Sequence, residues 1–159
     1  MSIQPGDAIP AIALTLIRDG MHPVRADTLF AGRRIVLFSV PGAFTPTCSS
    51  RHLPGYVAHF TDFQARGIEV ACVAVNDAYV MQAWASSQNV PAQMMMLADG
   101  NGDFARALGL ELDASAYGMG LRSRRFALLA EDGIVRLLQV EAPGEFKASS
   151  AEAMLALIG

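Results

Sequence analysis

The residue with the clearest chemical potential is Cys48, which ends the segment PGAFTPTC at positions 41–48. The segment directly follows an apolar run, residues 34–40, and precedes apolar residues at helical spacing. This pattern predicts a buried strand, a loop and then an amphipathic helix. Cys48 is therefore expected at a helix N-terminus, where the helix dipole favours a thiolate over a thiol. Because a thiolate is a nucleophile, the segment predicts that Cys48 takes part in a chemical reaction.

Nearby side chains could assist such a nucleophile. Thr45, one turn before Cys48, can hydrogen-bond the sulfur or a bound oxygen-containing substrate. Pro41 and Pro46 stiffen the loop and can shield the sulfur from bulk water, which strengthens local electrostatics. His52, four residues after Cys48, can share its helical face and support the thiolate, or it can be an ordinary polar residue.

A reactive thiolate also benefits from a fixed cation. The best source is the basic segment RSRR at 122–125, which directly precedes an apolar run at 126–130. An arginine at the entrance of a strand is held more rigidly than one in mid-loop, and it cannot lose its charge.

The elements that must position these residues follow from hydrophobic patterning. Apolar runs predict strands covered on both faces, and helical patterns lie between several of them. The predicted strands are residues 9–17, 35–40, 70–75, 94–97, 126–130 and 134–140. This order predicts a thioredoxin-like three-layer α/β fold with a central mixed sheet flanked by helices, formed by residues 1–159 as a single domain.

Turn and cap residues punctuate this pattern. Asp77 and Asp103 are expected to cap helices, and either Ser149 or Ser150 is expected to open the last helix. The sequence Glu-Asp-Gly at 131–133 predicts a hairpin between the last two strands.

Composition excludes several classes of function. The chain has 159 residues, of which 52% are hydrophobic, and its net charge of −3 shows no basic excess that would favour nucleic acid or anionic membranes. No apolar run is long enough for a membrane span, and the N-terminus does not resemble a signal peptide. With only two cysteines and no export signal, a cytoplasmic, reducing compartment is expected.

The remaining candidate groups favour structural interpretations. Cys72 lies inside an apolar strand, where a buried and unreactive thiol is expected. His22 and His59 have no partners at metal-ligand spacing, so no metal site is expected. The three methionines at 94–96 are expected in the core. There is no glycine-rich phosphate loop, and we expect no cofactor.

Three separated blocks resemble a known family. They are VPGAFTPTCS at 40–49, VND at 75–77 and RSRRFA at 122–127. The pattern P-x-x-x-T-x-x-C within the first block is similar to the active-site signature of the peroxiredoxins. Together the blocks resemble the type II, or peroxiredoxin-five-like, subfamily, and the similarity runs from about residue 5 to residue 147.

The resemblance implies roles for individual residues. Cys48 would be the peroxidatic cysteine, with Pro41, Thr45 and Arg125 around it. Arg125 is the matching arginine because it directly precedes the aromatic residue that begins a strand, whereas the other two arginines of the block, Arg122 and Arg124, would be peripheral.

The resemblance also implies the reaction and its partners. The Cys48 thiolate would attack hydrogen peroxide or an alkyl hydroperoxide and become a sulfenic acid, which glutathione with glutaredoxin, or thioredoxin, would reduce. Some relatives use a cysteine at the strand position of Cys72 in disulfide formation, and others carry one near the C-terminus, but residues 141–159 contain none. A homodimer is implied as well.

Two other functions remain open at this point. A thioredoxin-like disulfide oxidoreductase would need Cys-x-x-Cys, but Thr45 and Arg51 occupy the two positions three residues from Cys48. A redox sensor without turnover would react with peroxide yet show no thiol-dependent peroxide consumption.

Overall fold

A seven-stranded mixed sheet organises the computed structural model, which describes residues 2–159. The predicted domain also includes Met1, which lies outside the described residues. The strands are β1 (Ala13–Ile17), β2 (Met21–Arg25), β3 (Arg34–Val40), β4 (Glu69–Ala74), β5 (Met95–Ala98), β6 (Glu111–Asp113), β7 (Leu121–Ser123), β8 (Phe126–Glu131) and β9 (Ile134–Val140). The α-helices are α1 (Ala26–Phe30), α2 (Leu53–Ala58), α3 (Phe60–Ala65), α4 (Ala78–Ser87), α5 (Asp103–Leu108) and α6 (Ala151–Ile158). A π-helical turn, Cys48–His52, precedes α2, and a 3₁₀ turn spans Ser115–Tyr117.

The strand order in the main sheet is β2-β1-β5-β4-β3-β8-β9, and β6 and β7 form a separate ribbon. Strands β3, β4 and β5 are parallel, while β1, β2, β8 and β9 extend the sheet by antiparallel pairing. This is the predicted thioredoxin-like architecture, with helices covering a central mixed sheet.

The central strands of the sheet are buried on both faces, which explains why they are almost continuously apolar. Alternate residues of β3 enter two different cores: Val36, Phe38 and Val40 enter one, while Ile35 and Leu37 enter the other. The first core also holds both cysteines and several large buried aromatic side chains of the helices, namely Cys48, Tyr56, Phe63, Cys72 and Trp84.

Strand pairing decides where the functional residues meet. In the antiparallel pair of β3 and β8, Ser39 near the end of β3 lies opposite Phe126 at the start of β8. The loop that leaves β3 and the segment that enters β8 therefore reach the same edge of the sheet. Because β4 is parallel to β3, the loop after β4 reaches this edge too.

Most of the predicted strands are confirmed with ends shifted by one residue or less, and the hairpin at 131–133 joins β8 to β9 as expected. The early strand is shorter than predicted, since β1 begins only at Ala13. The residues before it follow a different course: Ile9 donates its amide to Gly133, and Ile12 bonds back to Pro10.

Two of the helix caps are confirmed and one is wrong. Asp77 accepts from Val80 N at the start of α4, and Ser150 accepts from Ala153 N at the start of α6. Asp103 is not a cap: the Asp99 carboxylate reaches forward and accepts the free amides of α5. Sequence patterns place a cap directly before the helix, whereas here the turn at 99–102 brings the Asp99 carboxylate to the first amides of α5.

Within residues 2–159, no helix is both long and apolar enough to cross a membrane. The same part of the chain contains no group of three or more His, Cys, Asp or Glu side chains that could hold a metal ion. The methionines at 94–96 are buried in the two cores, as predicted.

Candidate active site

Cys48 lies in the first turn of a helix, where the sequence placed it. Helical conformation begins at Pro46, and the Leu53 amide donates to the Cys48 carbonyl, five residues back, to close a π-helical turn. Such turns occur preferentially at functional sites. The Cys48 side chain is free and fully buried at 0% exposure, so its sulfur is protected from bulk water.

Arg125 supplies the cation at the sulfur. Its Nη2 donates to Cys48 Sγ over 3.1 Å, and its Nη1 lies 2.8 Å from His52 Nδ1. The planar guanidinium therefore bridges the two side chains, which a single ammonium group could not do in the same geometry.

His52 is held in one tautomer by its surroundings. Its Nε2 lies 3.0 Å from the Ser149 carbonyl oxygen, which can only accept, so Nε2 carries the proton and Nδ1 accepts from Arg125. Burial, and secondly the positive charge of Arg125, lower the pKa of His52 from 6.5 to about 3. His52 is thus neutral at neutral pH and serves the site as a hydrogen-bond acceptor.

Aromatic rings pack around His52 and Arg125. His52 packs against Phe38 and Tyr56, and Phe146 lies with its ring centroid 4.9 Å from that of His52. The Arg125 guanidinium carbon is 5.8 Å from the Phe146 centroid, within cation–π range. No motif in the sequence indicates a role for Phe146; the one available signal is an aromatic residue between the charged residues Glu145 and Lys147.

The loop before Cys48 is fixed from two sides. Thr45 Oγ1 donates to the Gly42 carbonyl over 2.6 Å, and the Ala43 amide donates to Asn76 Oδ1 over 2.9 Å. Asn76 belongs to the loop after β4, so the block at 75–77 acts on the loop through this contact. Phe44 adopts a positive φ of 63°, a strained conformation for a non-glycine residue, and is 56% exposed.

The other two arginines of the basic segment make different contacts. Arg122 donates to the carbonyls of Val75 and Met119, and Arg124 Nη2 reaches the Glu141 carbonyl at 3.4 Å. Neither has a hydrogen bond to Cys48. A Cβ on Gly42 would lie 3.2 Å from Arg122 Nη1, so the glycine leaves room for this side chain beside the loop.

Cys72 lies in the middle of β4, paired between Phe38 and Met96, and is fully buried. Burial raises the pKa of its thiol well above the ordinary value. Both properties oppose reaction of Cys72 in this conformation.

A cavity of about 140 Å³ adjoins the site and is lined in part by Pro41, Arg124, Arg125 and Glu141. A larger one, of about 510 Å³, lies beside Arg18, but its lining includes none of the residues that contact Cys48 or carry its loop, so size alone does not identify the site.

Comparisons with known proteins agree with this geometry. The family model for redoxins matches residues 4–155. Peroxiredoxin-2E, chloroplastic, of Arabidopsis thaliana is 46% identical over 97% of this chain and 68% of that protein, and Peroxiredoxin-2E-2, chloroplastic, of Oryza sativa subsp. japonica is 48% identical over 97% and 72%. The chain belongs to the redoxin family, as a type II peroxiredoxin.

Solved structures lead to the same family. Reduced Prx3 from Vibrio vulnificus in complex with hydrogen peroxide superposes with a TM-score of 0.93, at 47% identity and with 99% of both chains covered. The 159-residue chain is accordingly a thiol-dependent peroxidase, as its three sequence blocks implied.

The expected cytoplasmic location is wrong, because both plant relatives described above are chloroplastic proteins. The expectation rested on the small number of cysteines and on the composition of the first residues of the sequence. These features report a reducing environment, and they do not distinguish one reducing compartment from another.

Proposed function

We propose that Cys48 is the peroxidatic nucleophile of this peroxidase. The observation that carries the proposal is the direct hydrogen bond from the partly buried Arg125 guanidinium to the fully buried Cys48 Sγ. In surroundings from which water is excluded, such a contact stabilises a thiolate much more than it would in water.

The reaction breaks the O–O bond. The Cys48 thiolate attacks the terminal oxygen of a hydroperoxide, an S–O bond forms, and the product is a sulfenic acid that retains the hydrogen of that oxygen. The second oxygen leaves with the electron pair of the broken bond, takes up a proton, and departs as water or an alcohol. Sulfur is oxidised and the peroxide is reduced.

Thr45 would contribute as an acceptor. Because its only hydroxyl hydrogen is donated to the Gly42 carbonyl, the free lone pairs of Oγ1 are what it can offer to a peroxide O–H. The amides of Thr47 and Cys48, in the first helical turn, have no intrahelical acceptor and can donate to the negative charge that develops on oxygen.

Pro41 and His52 would shape the site without touching the reacting electrons. Pro41 is half-buried at the end of β3 and lines the adjoining cavity, so it restricts how a substrate approaches the sulfur. His52 holds the second arm of Arg125, which leaves Nη2 directed at Sγ.

An external thiol would close the cycle. The thiol displaces the sulfenic oxygen as water to give a mixed disulfide with Cys48, and a second thiol then releases Cys48. We propose glutathione with a glutaredoxin, or a thioredoxin, as the reductant, and one working cysteine per chain. Cys72 is as buried as Cys48, but it lies in the middle of β4, and among the described residues no cationic side chain donates a hydrogen bond to its sulfur. This difference supports the proposal over a resolving role for Cys72.

Intact mass spectrometry tests the proposal. One equivalent of hydrogen peroxide should add one oxygen atom to the protein, and peptide mapping should place it on Cys48. With glutathione present, the oxidised form should be replaced by a glutathione adduct at the same residue. Oxidation confined to Cys72, or no oxidation of either cysteine, contradicts the proposal.

Residues 1–159 would act as one domain, in a homodimer. Exposed Phe44, in the loop that carries Cys48, supports an interface beside the site, since burying a large exposed apolar side chain favours association. Sedimentation of the reduced protein checks this: a Phe44→Ser variant should dissociate at concentrations where the parent chain is dimeric.

A further inference from the structure

Glu141, just after β9, is a buried carboxylate to which no sequence motif assigns a role. It is only 4% exposed, and its Oε2 accepts from Lys147 N at 2.9 Å, from Ser149 N at 2.7 Å and from Ser149 Oγ at 2.7 Å. Burial raises its pKa, but the hydrogen bonds from Ser149 and its neighbours outweigh burial, so that the net shift is downward and the group is ionised. The carboxylate thus fastens the segment before α6 to the end of β9.

The fastened segment supports the site directly. The Ser149 carbonyl accepts hydrogen bonds from His52 Nε2 and, at 2.8 Å, from the Tyr56 hydroxyl. This carbonyl selects the tautomer in which His52 can accept from Arg125. A chain of hydrogen bonds therefore leads from Glu141 through Ser149 and His52 to the guanidinium at Cys48.

Glu141 also holds the other end of the same arginine. Its amide donates to the Arg125 carbonyl over 3.0 Å. Glu141 therefore holds the main chain of Arg125 directly, and it holds His52, the partner of the Arg125 side chain, through Ser149. Meanwhile Glu141 Oε1 is buried and has no hydrogen-bond partner among residues 2–159. A half-satisfied buried carboxylate costs free energy, so stability alone explains its presence poorly.

We propose that Glu141 is a positioning residue of the peroxidase, which holds Arg125 against Cys48 by fastening Ser149 beneath His52. The inference rests on the proposed roles of Cys48 and Arg125. It requires that the carboxylate act as a hydrogen-bond acceptor, since its negative charge by itself would oppose a thiolate nearby.

The acceptor role of Glu141 favours the thiolate and its negative charge opposes it, so matched variants can separate the two effects. Glu141→Ala removes the acceptor and the charge, whereas Glu141→Gln removes the charge and keeps one carbonyl oxygen for Ser149. Glu145→Ala is the control: it removes an exposed carboxylate of the same segment, whose only ion pair is with exposed Lys147 among the described residues.

The experiment measures two quantities in a Cys72→Ser background, at a temperature where thermal unfolding shows each variant to be folded. They are the pH profile of Cys48 alkylation and the second-order rate constant with hydrogen peroxide. We expect Glu141→Ala to move the alkylation midpoint to higher pH and to slow the peroxide reaction by about tenfold, the cost of a lost buried hydrogen bond. Glu141→Gln should stay within about threefold of the parent, and Glu145→Ala should match it.

Three results would overturn the inference: Glu141→Ala with the parent profile and rate, Glu141→Gln as impaired as Glu141→Ala, or Glu145→Ala equally impaired. If Glu141→Ala does not fold, Ser149→Ala replaces it, because it deletes one donor to Glu141 and keeps the carbonyl under His52. That variant should show a smaller shift in the same direction, and a parent-like profile overturns the inference. The proposed function fails separately, if Cys48→Ser remains active.

Discussion

Arg125 Nη2 donates to Cys48 Sγ over 3.1 Å, across 77 positions of sequence. The contact exists because β3 and β8 are antiparallel neighbours, so that the exit of one strand and the entrance of the other share an edge of the sheet. The helix that begins at Pro46 places Cys48 in its first turn, at the same edge of the sheet as Arg125.

Replacement of this arginine by lysine should slow the reaction while preserving the charge. We expect Arg125→Lys to lose on the order of 10²-fold in the rate constant with peroxide, because one ammonium cannot donate to both Cys48 and His52 in the geometry of the guanidinium. Stopped-flow kinetics measures the rate. Arg124→Lys is the control, and an impaired control beside a normal Arg125→Lys would show that the arginine is misassigned.

Cys48→Ser should abolish thiol-dependent peroxide consumption, since a serine hydroxyl does not ionise near neutral pH. The fold should survive, because the substitution exchanges two side chains of similar size. Peroxide consumption with a thiol reductant and circular dichroism test both statements. Comparable turnover by the serine variant would exclude Cys48 as the nucleophile.

Thr45→Val keeps the shape of the side chain and removes its oxygen. Loss of a hydrogen bond made to the reacting peroxide costs on the order of 10² to 10³ in rate. Thr45→Ser should retain much more activity, since its hydroxyl can still donate to the Gly42 carbonyl. Equal rate constants for the two variants would remove Thr45 from the mechanism.

Cys72→Ser should retain most activity with a small-thiol reductant, at some cost in stability from a hydroxyl within an apolar strand. Peptide mapping after oxidation should find little Cys48–Cys72 disulfide. Abundant disulfide together with lost turnover in the variant would mean that the first helical turn unwinds to reach β4, and that two cysteines work in each chain.

The pH dependence of folding should carry the signature of His52. Its pKa is about 3 in the folded protein against 6.5 ordinarily, so below pH 6.5 the unfolded chain binds a proton at this position that the folded chain does not. His52 therefore contributes a loss of stability as the pH falls from 6.5 towards 3, with a slope of at most about 1.4 kcal/mol per pH unit.

Denaturant unfolding of the parent and of His52→Gln, between pH 7 and pH 4, measures this contribution as the difference between the two slopes. His59 shifts stability in the opposite sense, because its hydrogen bond to Asp62 raises its pKa, but it is present in both proteins and cancels. Parallel profiles for the two proteins would contradict the burial of a neutral His52.

The local sequence is sufficient for β3, β4, β5, β8 and β9, for the hairpin and for the helix start just before Cys48. Each of these depends on hydrophobic alternation or on turn and cap chemistry within a few residues, and Asp77 and Ser150 cap the helices that their positions predict. The reactivity of Cys48 can be predicted for the same reason, because the prolines, the start of the helix and the cysteine are neighbours within residues 41–48.

Tertiary structure decides which distant groups serve that loop. The register of β3 on β8 places Arg125, and not Arg122, at the sulfur, while Glu141 and Ser149 join the site only because the segment after β9 folds back over His52. These contacts join residues far apart in sequence, and no local pattern encodes them because strand pairing and chain reversal determine their distances.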